Sequence, residues 1–392
     1  MFFKKPILAI GLLSVAIFSC SKNGEDAPDS TVTPEECVQG RGASSGDTTG
    51  VYIVSYNRDA VNARTMSRGE LNDLSTDLLG RHQISAAVLT TSFPGEPGGF
   101  IARLTNTQAQ ELREDASVAI VEQDRVISLS TCFTVVEPRL VTWNVDRTGY
   151  GNGIGKRAWI IDTGIDFDHP DLTVDRNASK SFISGTASAE DENGHGTHVG
   201  GIIGGKNNSI GVLGVASGAT LISLRVLDKD GEGTISSIVQ ALAWVNTHAS
   251  PGDVVNMSIG SDEGVSPTLD QQVRNTAARG IYIAIAAGNE HKLANLSSPA
   301  RVNGTNIYTV SAIDSSGNFA SFSNYGNDVV DYAMPGVKIL STFTNGRYAY
   351  MSGTSMAAPH MAGILLLRGN NFTTRGTAGN DPDGTADAIA HY

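Results

Sequence analysis

Three polar residues stand in small-residue surroundings at widely separated points of this 392-residue chain. Asp162 follows the apolar pair Ile-Ile, His195 lies in Asn-Gly-His-Gly-Thr-His, and Ser355 lies in Gly-Thr-Ser-Met-Ala. A serine hydroxyl becomes a strong nucleophile only when a base accepts its proton, and that base needs an acid to fix its tautomer. The three residues therefore predict a triad for acyl transfer. Their order along the chain is informative, because unrelated folds contain the same three residues in different orders.

The elements that would position these residues are short apolar runs that alternate with helical stretches. Strands are predicted at 158–161, 221–226, 254–257, 281–285 and 307–310. Helices are predicted between them, at 236–247 and 269–279. Continuously apolar strands separated by helices favour an α/β fold with a mostly parallel central sheet covered on both faces. Chemistry collects at the carboxyl ends of such strands, which is where Asp162, Ser258 and Asn289 fall.

A smaller α+β domain is predicted ahead of this fold, at residues 50–131. Its strands are predicted at 51–54, 86–89, 99–104 and 118–122, and its helices at 71–79 and 107–113. Roughly 80 residues is about the minimum for an independent core. The α/β domain is then expected to occupy residues 132–392.

The first 20 residues have the layout of an export signal. Lys4 and Lys5 precede an apolar run that ends before Ser19 and Cys20. Cys20 stands where a bacterial lipoprotein signal places its lipidated cysteine, and the alternative is a plain secretory signal cut nearby. The polar stretch 21–49 is predicted to be a flexible tether. We therefore expect an exported protein, lipid-anchored to a bacterial membrane or cell surface, or otherwise secreted.

The charge of the chain argues against nucleic acid as a partner. The formal net charge is -12 and the isoelectric point is near 5.1. Binding to a phosphate backbone relies on clustered lysine and arginine, and the sequence has no such cluster.

Several segments resemble the subtilisin family of serine peptidases. They are the three surroundings described above together with Asn-Met-Ser-Ile-Gly at 256–260, Ala-Ala-Gly-Asn-Glu at 286–290 and the continuation Ala-Pro-His-Met-Ala-Gly after Ser355. The resemblance covers nearly everything after residue 135. It implies an endopeptidase in which Ser355 is the nucleophile, His195 the general base, Asp162 its orienting acid and Asn289 a donor to the oxyanion.

The same resemblance implies an extended cleft for protein or peptide substrates. In the family, the backbones of the two cleft walls pair with a peptide as an added strand. The matching residues are Ser258, Ile259, Gly260, Gly231 and Gly233.

A structural calcium site is also implied by the resemblance. Calcium favours hard oxygen donors such as carboxylates, amides and backbone carbonyls. The residues that match the family's ligands are Asp171, Lys206, Asn208, Ile210 and Val212.

Residues 50–131 resemble the inhibitor-type prosegment found ahead of subtilisin-like catalytic domains. This implies a self-processing precursor whose own prosegment acts as an intramolecular inhibitor, cut near Leu129 to Phe133. The alternative is an accessory domain that stays in the mature protein. Cys37 and Cys132 flank this segment, and in an oxidising compartment they either pair or remain thiols; the sequence leaves both open. A pair would keep the enzyme attached to its tether after the prosegment is removed.

Three other interpretations fit the sequence less well. A zinc protease is disfavoured because His195 and His198 are three residues apart rather than four, with no glutamate between them. An α/β-hydrolase is disfavoured because fewer than 40 residues follow Ser355. The runner-up is a catalytically silent peptide-binding pseudoenzyme, which the presence of all four catalytic residues argues against.

Overall fold

The computed structural model describes residues 36–39, 48–63, 65–128, 130–135, 141–260 and 264–392. The predicted export signal and Cys20 lie outside these ranges. Within them, none of the helices combines the length and the apolar character needed to cross a membrane.

The first module, residues 48–128, is a four-stranded antiparallel sheet with two helices. Strand β1 (Glu36–Gln39) precedes it, and its elements are β2 (Val51–Tyr56), α1 (Arg68–Arg81), β3 (Leu89–Phe93), β4 (Gly99–Arg103), α2 (Asn106–Arg113), β5 (Val118–Gln123) and β6 (Val126–Ser128). The strand order is β3-β4-β2-β5. Both helices begin with capping boxes, in which the side chains of the N-cap and of the third helical residue each satisfy a backbone N–H.

Alternation along the strands gives this sheet two different faces. Tyr52 and Val54 of β2 pack in the module's own core with Leu71 of α1. Ile53, between them, belongs instead to a buried cluster that includes helices of the following module. Because successive strand side chains point to opposite faces, one strand serves two cores. The whole of Glu35–Tyr392 accordingly forms one compact unit.

The strand predicted at 86–89 is wrong over most of its length. Ala86–Val88 forms a short 3-10 helix, and β3 begins only at Leu89. The Ser85 hydroxyl accepts a hydrogen bond from the Ala87 N–H at 3.3 Å, which offers the backbone a local alternative to strand pairing. Ala86 and Ala87 are exposed, so their apolar character does not report a core position.

The second module comprises β7 and the residues from 141 onward. Its elements are β7 (Ser130–Val135), α3 (Trp143–Thr148), β8 (Gly151–Asn152), β9 (Arg157–Asp162), β10 (Thr173–Val174), β11 (Lys180–Ser181), α4 (His195–Gly204), β12 (Ala216–Ser217), β13 (Thr220–Arg225), β14 (Glu232–Thr234), α5 (Ile235–His248), β15 (Val254–Met257), α6 (Pro267–Ala277), β16 (Tyr282–Ala286), β17 (Ile307–Ile313), β18 (Val330–Pro335), β19 (Ile339–Phe343), β20 (Arg347–Met351), α7 (Thr354–Arg368), β21 (Thr373–Thr377) and β22 (Ala388–His391).

The predicted parallel sheet is confirmed. Its order is β10-β13-β9-β15-β16-β17-β18-β22-β21, with β11 also pairing to β13, and β21 is antiparallel to its neighbour. The chain runs from β9 to β13 on one side and then returns to β15 on the other side of β9. Strand order therefore reverses at β9, and ligand sites in open α/β sheets lie at the carboxyl end of such a switch point.

Helices cover both faces of this sheet. Residues of α4 and α7 share one buried cluster, and residues of α5 and α6 share another. The predicted helices and strands of this module agree with the structure to within three residues at each end, because long apolar runs and helical periodicity are strong signals.

A separate four-stranded sheet has the order β1-β7-β20-β19, and its neighbouring strands are antiparallel. It differs from the predicted organisation in two ways. Glu36–Gln39, inside the segment predicted to be a flexible tether, forms strand β1. The predicted domain boundary between residues 131 and 132 falls inside β7, so this strand belongs with the second module as a whole.

Candidate active site

The core of the candidate site is a buried carboxylate–imidazole pair. Asp162 ends β9, and His195 begins α4. His195 Nδ1 donates to Asp162 Oδ1 at 2.7 Å, and the two side chains are 1% and 0% exposed. Among the described residues, no hydrogen-bond partner meets His195 Nε2. The arrangement fixes the histidine tautomer and leaves one ring nitrogen free to accept a proton.

The arrangement of Asp162 and His195 requires glycine at position 196. A Cβ on Gly196 would lie 2.1 Å from the Gly164 carbonyl oxygen and 3.1 Å from Asp162 Oδ1. Atoms cannot approach that closely, so only glycine lets the first turn of α4 lie against the end of β9.

A second carboxylate, Asp191, holds the start of α4 and was missed by the sequence analysis. Its Oδ1 accepts hydrogen bonds from the N–H groups of Asn193 and Gly194, both at 2.9 Å, and its Oδ2 accepts one from the Thr197 N–H at 3.0 Å. It also accepts from the Thr163 hydroxyl at 2.9 Å. A weak signal was present in the sequence, because aspartate is a residue type that often satisfies the first N–H groups of a helix, although no helix is predicted from the sequence at this position.

Ser355 lies in the first turn of α7, which packs against α4. Its hydroxyl donates to the Ser258 carbonyl oxygen at 3.0 Å, and the Ser258 hydroxyl donates back to the Ser355 carbonyl oxygen at 2.7 Å. The Ser355 hydroxyl is thus turned toward the end of β15 rather than hydrogen-bonded to His195. The structure brings the predicted nucleophile and base to the N-terminal turns of two adjacent helices without joining them.

Asn289 presents its amide nitrogen to the same region. Its Oδ1 accepts hydrogen bonds from the Thr354 N–H at 2.8 Å and from the Thr354 hydroxyl at 3.0 Å. No described residue accepts a hydrogen bond from its Nδ2. A Cβ on Gly353 would lie 3.6 Å from this nitrogen. Because the oxygen is anchored, the N–H groups are oriented before any substrate arrives.

The other two histidines near the site are structural. His198 Nε2 donates to the carbonyl oxygens of Ile339 and Ala349 at 3.0 Å, and burial lowers its pKa to about 3. His360 donates to the Met356 carbonyl oxygen at 2.8 Å, and burial lowers its pKa to about 4. Both remain neutral at physiological pH, and His198 has its Nε2 committed to carbonyl oxygens, so it is not arranged as a metal ligand beside His195.

One predicted cleft wall is occupied by the first module. Strand β14 pairs antiparallel with β6, with Gly233 opposite Ile127 and Glu232 opposite Ser128. Ile127 is 2% exposed and belongs to the same buried cluster as Ile235 and Ile259. The end of the first module therefore lies against this predicted wall as an added strand with an apolar side chain buried.

The second predicted wall follows β15, where Ser258 and Ile259 are buried and Gly260 is partly exposed. Gly231 lies in the turn before β14, and its N–H donates to the Asp228 carbonyl oxygen at 3.1 Å. The predicted wall residues thus lie directly after β15 and at the start of β14.

Two carboxylates of the first module lie at helix starts of the second. Asp124 Oδ1 accepts from the Ser236 N–H at 3.0 Å, at the beginning of α5. Glu122 Oε1 accepts from the Ser266 hydroxyl at 2.7 Å and the Thr268 N–H at 3.3 Å, at the beginning of α6. Burial raises the pKa of both carboxyl groups. Their acceptor oxygens satisfy helix N–H donors that otherwise need other partners.

The loop predicted to bind calcium wraps the buried carboxylate of Asp171. Oδ2 accepts from the Val212 N–H at 2.8 Å, and Oδ1 accepts from Asn208 Nδ2 at 2.8 Å. A Cβ on Gly211, whose φ is +69°, would lie 1.9 Å from Oδ2, so glycine is required for this wrapping. The Lys206 ammonium donates to the Pro170 carbonyl oxygen at 3.0 Å.

The donor set of this loop fits calcium. Burial raises the pKa of Asp171, since the ionised carboxylate is desolvated. The described residues contain no group of three or more histidine, cysteine, aspartate or glutamate side chains able to hold a metal. The loop supplies one carboxylate, one amide and backbone carbonyls, which are donor types that suit calcium and not a transition metal, while the Asn208 side chain turns Nδ2 toward Asp171 and its Oδ1 accepts from the Ile210 N–H at 2.9 Å.

Comparisons with known proteins agree with this geometry. The model of the subtilase family matches residues 159–375, more than half of the chain. The chain is 40% identical over 276 residues to a thermostable alkaline protease of Halalkalibacterium halodurans, covering 68% of this chain and 71% of that protein. It is 34% identical to an extracellular serine proteinase of a Thermus species, covering 98% of this chain and 93% of that protein.

A solved structure shows the same fold. The crystal structure of a cold adapted subtilisin-like serine proteinase matches with a TM-score of 0.58 and 33% identity, covering 64% of this chain and 98% of that one. The chain therefore belongs to the subtilase family and is an exported serine-type endopeptidase.

Proposed function

We propose that the protein hydrolyses peptide bonds of other proteins through Asp162, His195 and Ser355, by way of an acyl-enzyme. The observation that carries this proposal is the buried pair in which His195 Nδ1 is held by Asp162 at 2.7 Å while Nε2 is left free. Rotation of the Ser355 side chain away from the Ser258 carbonyl oxygen would let its hydroxyl donate to that free nitrogen.

The reaction then proceeds in two halves. Ser355 Oγ attacks the substrate carbonyl carbon while His195 Nε2 takes the hydroxyl proton. The resulting oxyanion accepts a hydrogen bond from Asn289 Nδ2, which the anchored Oδ1 has already oriented. When the tetrahedral intermediate collapses, His195 gives its proton to the leaving amine. Water repeats the sequence and releases the acid, and Asp162 stabilises the imidazolium in both halves.

Substrates are proposed to bind as an extended strand between β14 and residues 258–260. Support comes from β6, which already pairs with β14 in that manner. Strand addition uses backbone hydrogen bonds for affinity and side-chain pockets for specificity. The buried Ile127 indicates an apolar pocket on this path.

The first module is proposed to be an inhibitory prosegment that is removed by self-cleavage. It closes one cleft wall with β6, and it places Asp124 and Glu122 at the starts of α5 and α6. The chain changes partner between β6, which pairs with β14, and β7, which pairs with β20. A cut between these two strands, within the predicted range 129–133, would separate the modules without breaking either pairing.

A structural calcium ion is proposed in the loop around Asp171. The ligands would be the Asp171 and Asn208 side chains and the carbonyl oxygens of Lys206, Ile210 and Val212. Bound calcium would stabilise the ionised form of a carboxylate whose pKa is raised by burial. It stabilises the folded state and takes no part in the chemistry.

Removal of calcium with a chelator is expected to lower the melting temperature. Ligand at about 100 times its dissociation constant stabilises a protein by about 2.7 kcal/mol. Thermal unfolding of the Ser355→Ala protein measures this without self-digestion. Asp171→Asn should abolish the calcium-dependent shift, and Asp168→Asn, at an exposed position nearby, should retain it. An equal shift in both variants would contradict the assignment.

Lipidation of Cys20 is proposed as the anchor of the exported protein, on the sequence pattern alone. Detergent phase partitioning of cell extracts tests it. The unaltered protein is expected in the detergent phase and Cys20→Ser in the aqueous phase. Aqueous partitioning of both would overturn the anchor without affecting the peptidase assignment.

Self-processing and proteolysis can be tested together on the purified precursor. The unaltered protein is expected to cut itself near residue 130 and then to degrade casein, while Ser355→Ala stays intact and inactive. Ser352→Ala, three residues earlier on the same segment, is the matched control and should behave like the unaltered protein. Casein degradation by Ser355→Ala would contradict the assigned nucleophile, and an inert unaltered precursor would contradict the whole proposal.

A further inference from the structure

The strand β1 comes from the chain that precedes the first module, yet it pairs with the second module. Its partner is β7, and the register sets Cys37 directly opposite Cys132. Residues directly opposite in an antiparallel pair have their Cα atoms about 4.5–5.5 Å apart. A disulfide needs Cα atoms about 4.4–6.8 Å apart. The register therefore places the two cysteines where their backbones permit a bond.

The position of β7 shows what such a bond would hold. Its other neighbour is β20, with Phe133 opposite Met351, so β7 lies between β1 and the strand that leads to Ser355. The first module lies in the chain between β1 and β7, and the register pairs Gln39 at the end of β1 with Ser130 at the start of β7. The chain thus leaves this sheet after Gln39 and returns to it at Ser130, the residue paired with Gln39, and the first module lies between these two points of the chain.

We propose that Cys37 and Cys132 form a disulfide, and that the mature protease is a two-chain molecule that retains the segment around Cys37 after the first module is excised. The second half of this statement rests on the proposed self-cleavage, with the cut between β6 and Cys132. Strand pairing between β1 and β7 holds the retained segment in place, and the disulfide makes its attachment permanent.

The oxidation requires a partner, which is an exported protein dithiol in its disulfide form or, in the test tube, oxidised glutathione. One cysteine thiolate attacks the oxidant's disulfide, which gives a mixed disulfide and releases one thiol of the oxidant. The other cysteine thiolate then attacks the protein sulfur of the mixed disulfide and releases the oxidant's second thiol. One S–S bond forms between the two Sγ atoms and one S–S bond of the oxidant breaks. The two thiol protons end on the two thiols of the reduced oxidant.

The retained segment has a consequence for where the enzyme acts. Everything on the amino-terminal side of Cys37 remains covalently joined to the active second module. An anchor anywhere in that stretch would therefore keep the mature protease attached after its inhibitor has been cut away. Release of the first module itself requires a second cut between β1 and β2.

The disulfide can be tested without any proteolysis by using the full-length Ser355→Ala precursor treated with oxidised glutathione. After free thiols are alkylated, trypsin cuts the sequence into peptides 23–41 and 126–139, which contain Cys37 and Cys132. The expected result is one species containing both peptides, which separates on reduction. Alkylation of both cysteines, or a link from Cys37 to Cys20, would overturn the pairing. Cys37→Ser should leave the 126–139 peptide fully alkylated.

Retention is tested on the matured, unaltered enzyme by intact mass before and after reduction. Before reduction, the mass should include a peptide that carries Cys37, and reduction should release it. The Cys37→Ser enzyme should lose this peptide without reductant and keep its activity on casein within about twofold, since Cys37 lies outside the catalytic residues. A mature enzyme of one chain, with casein activity and no attached peptide, would overturn retention. Failure of the precursor to cut itself would instead count against the proposed function, with the peptide map still deciding the disulfide.

Discussion

The two modules use their carboxylates in opposite ways. In the second module, Asp162 Oδ1 and both oxygens of Asp191 accept hydrogen bonds from groups of their own module, and they hold His195 and the start of α4. In the first module, Asp124 and Glu122 reach outward and satisfy helix starts of the other module. The proposed catalytic groups are thus held by residues of the second module alone, whereas Asp124 and Glu122 of the first module hydrogen-bond to helix starts of the second. Each function should therefore be separable from the other by substitution.

The largest effect is expected from Asp162→Asn, which replaces the carboxylate that accepts the hydrogen bond from His195 in the second module. The amide can still accept a hydrogen bond from the Thr163 N–H, now 2.7 Å from Asp162 Oδ1, so the fold should survive. The histidine tautomer is no longer fixed, and the change is expected to lower kcat by about 10⁴-fold.

Steady-state kinetics on a peptide substrate measure this loss. Asp166→Asn is the control, because Asp166 is a buried carboxylate of the same region that accepts hydrogen bonds from the N–H groups of Asp168 and Gly346 and does not contact the Asp162–His195 pair through a hydrogen bond. It should retain activity within about threefold of the unaltered enzyme. A similar loss in both variants would mean that local folding, not the pair, is being measured.

A smaller loss is expected at Asn289. Removing one oxyanion donor costs about 10²–10³ in kcat in subtilisin, the enzyme from which this magnitude is taken. Asn289→Asp keeps an oxygen for Thr354 and loses the N–H donor, whereas Asn289→Ala loses both. We expect the two variants to show similar losses in kcat with little change in KM. If Asn289→Asp were fully active, the anchored oxygen and not the N–H groups would be the contribution of this residue.

Asp387 is a buried carboxylate of the second module that belongs neither to the candidate active site nor to the contact with the first module, so it shows a third use of a buried carboxylate. Asp387 accepts from the Ser311 hydroxyl at 2.6 Å, and burial, reinforced by the nearby charges of Asp381 and Asp383, raises its pKa to about 7. Because the pKa is raised in the folded protein, the contribution of Asp387 to stability is fully present below the ordinary pKa of an aspartate. This contribution is lost as the pH rises through about 7. Full ionisation of the Asp387 carboxyl group is expected to lower the free energy of unfolding by about 4 kcal/mol.

Asp387→Asn should remove that pH dependence, because the amide keeps a partner for Ser311 and never ionises. Melting temperatures of the Ser355→Ala protein, with and without Asp387→Asn, measured from pH 5 to pH 8.5, provide the test. The variant should be the more stable protein at the upper end. Parallel curves across the range would show that Asp387 does not titrate there.

The smallest effect is expected at the interface. Asp124→Ala removes the side-chain acceptor for the Ser236 N–H, and loss of such a cap costs about 1 kcal/mol. The cut first module should dissociate about fivefold faster, which shortens the lag between self-cleavage and peptidase activity. Peptidase activity after the lag should be unchanged. Glu114→Ala, at an exposed helix end of the same module, should leave the lag unaltered.

Much of the fold could be predicted because its signals are strong and local. The strands of the parallel sheet are short apolar runs. Asp162 lies at the carboxyl end of one and Asn289 lies three residues after the end of another, so their position at one sheet edge follows from topology. The short 3-10 helix at 86–88 could not be predicted, since its small apolar residues resemble a strand while the Ser85 hydroxyl stabilises a turn.

Other features depend on partners that are distant in sequence. Strand β1 is polar and gains its structure from the backbone of β7, about 95 residues away, which a local pattern cannot indicate. The role of Asp191 could not be predicted, because its hydrogen bonds to the first turn of α4 and to the Thr163 hydroxyl require the fold. The orientation of the Ser355 hydroxyl depends on the Ser258 carbonyl oxygen and was equally inaccessible from sequence.

The proposed activation of the Ser355 hydroxyl by His195 is tested most directly by covalent labelling. The matured enzyme is treated with a sulfonyl fluoride, which reacts with activated serines, and the adduct is located by peptide mapping. We expect one sulfonyl group per molecule, on Ser355, and labelling at least about 10³-fold slower in His195→Ala. An enzyme that degrades casein while Ser355 stays unlabelled, or a His195→Ala protein that labels at the full rate, would contradict the account.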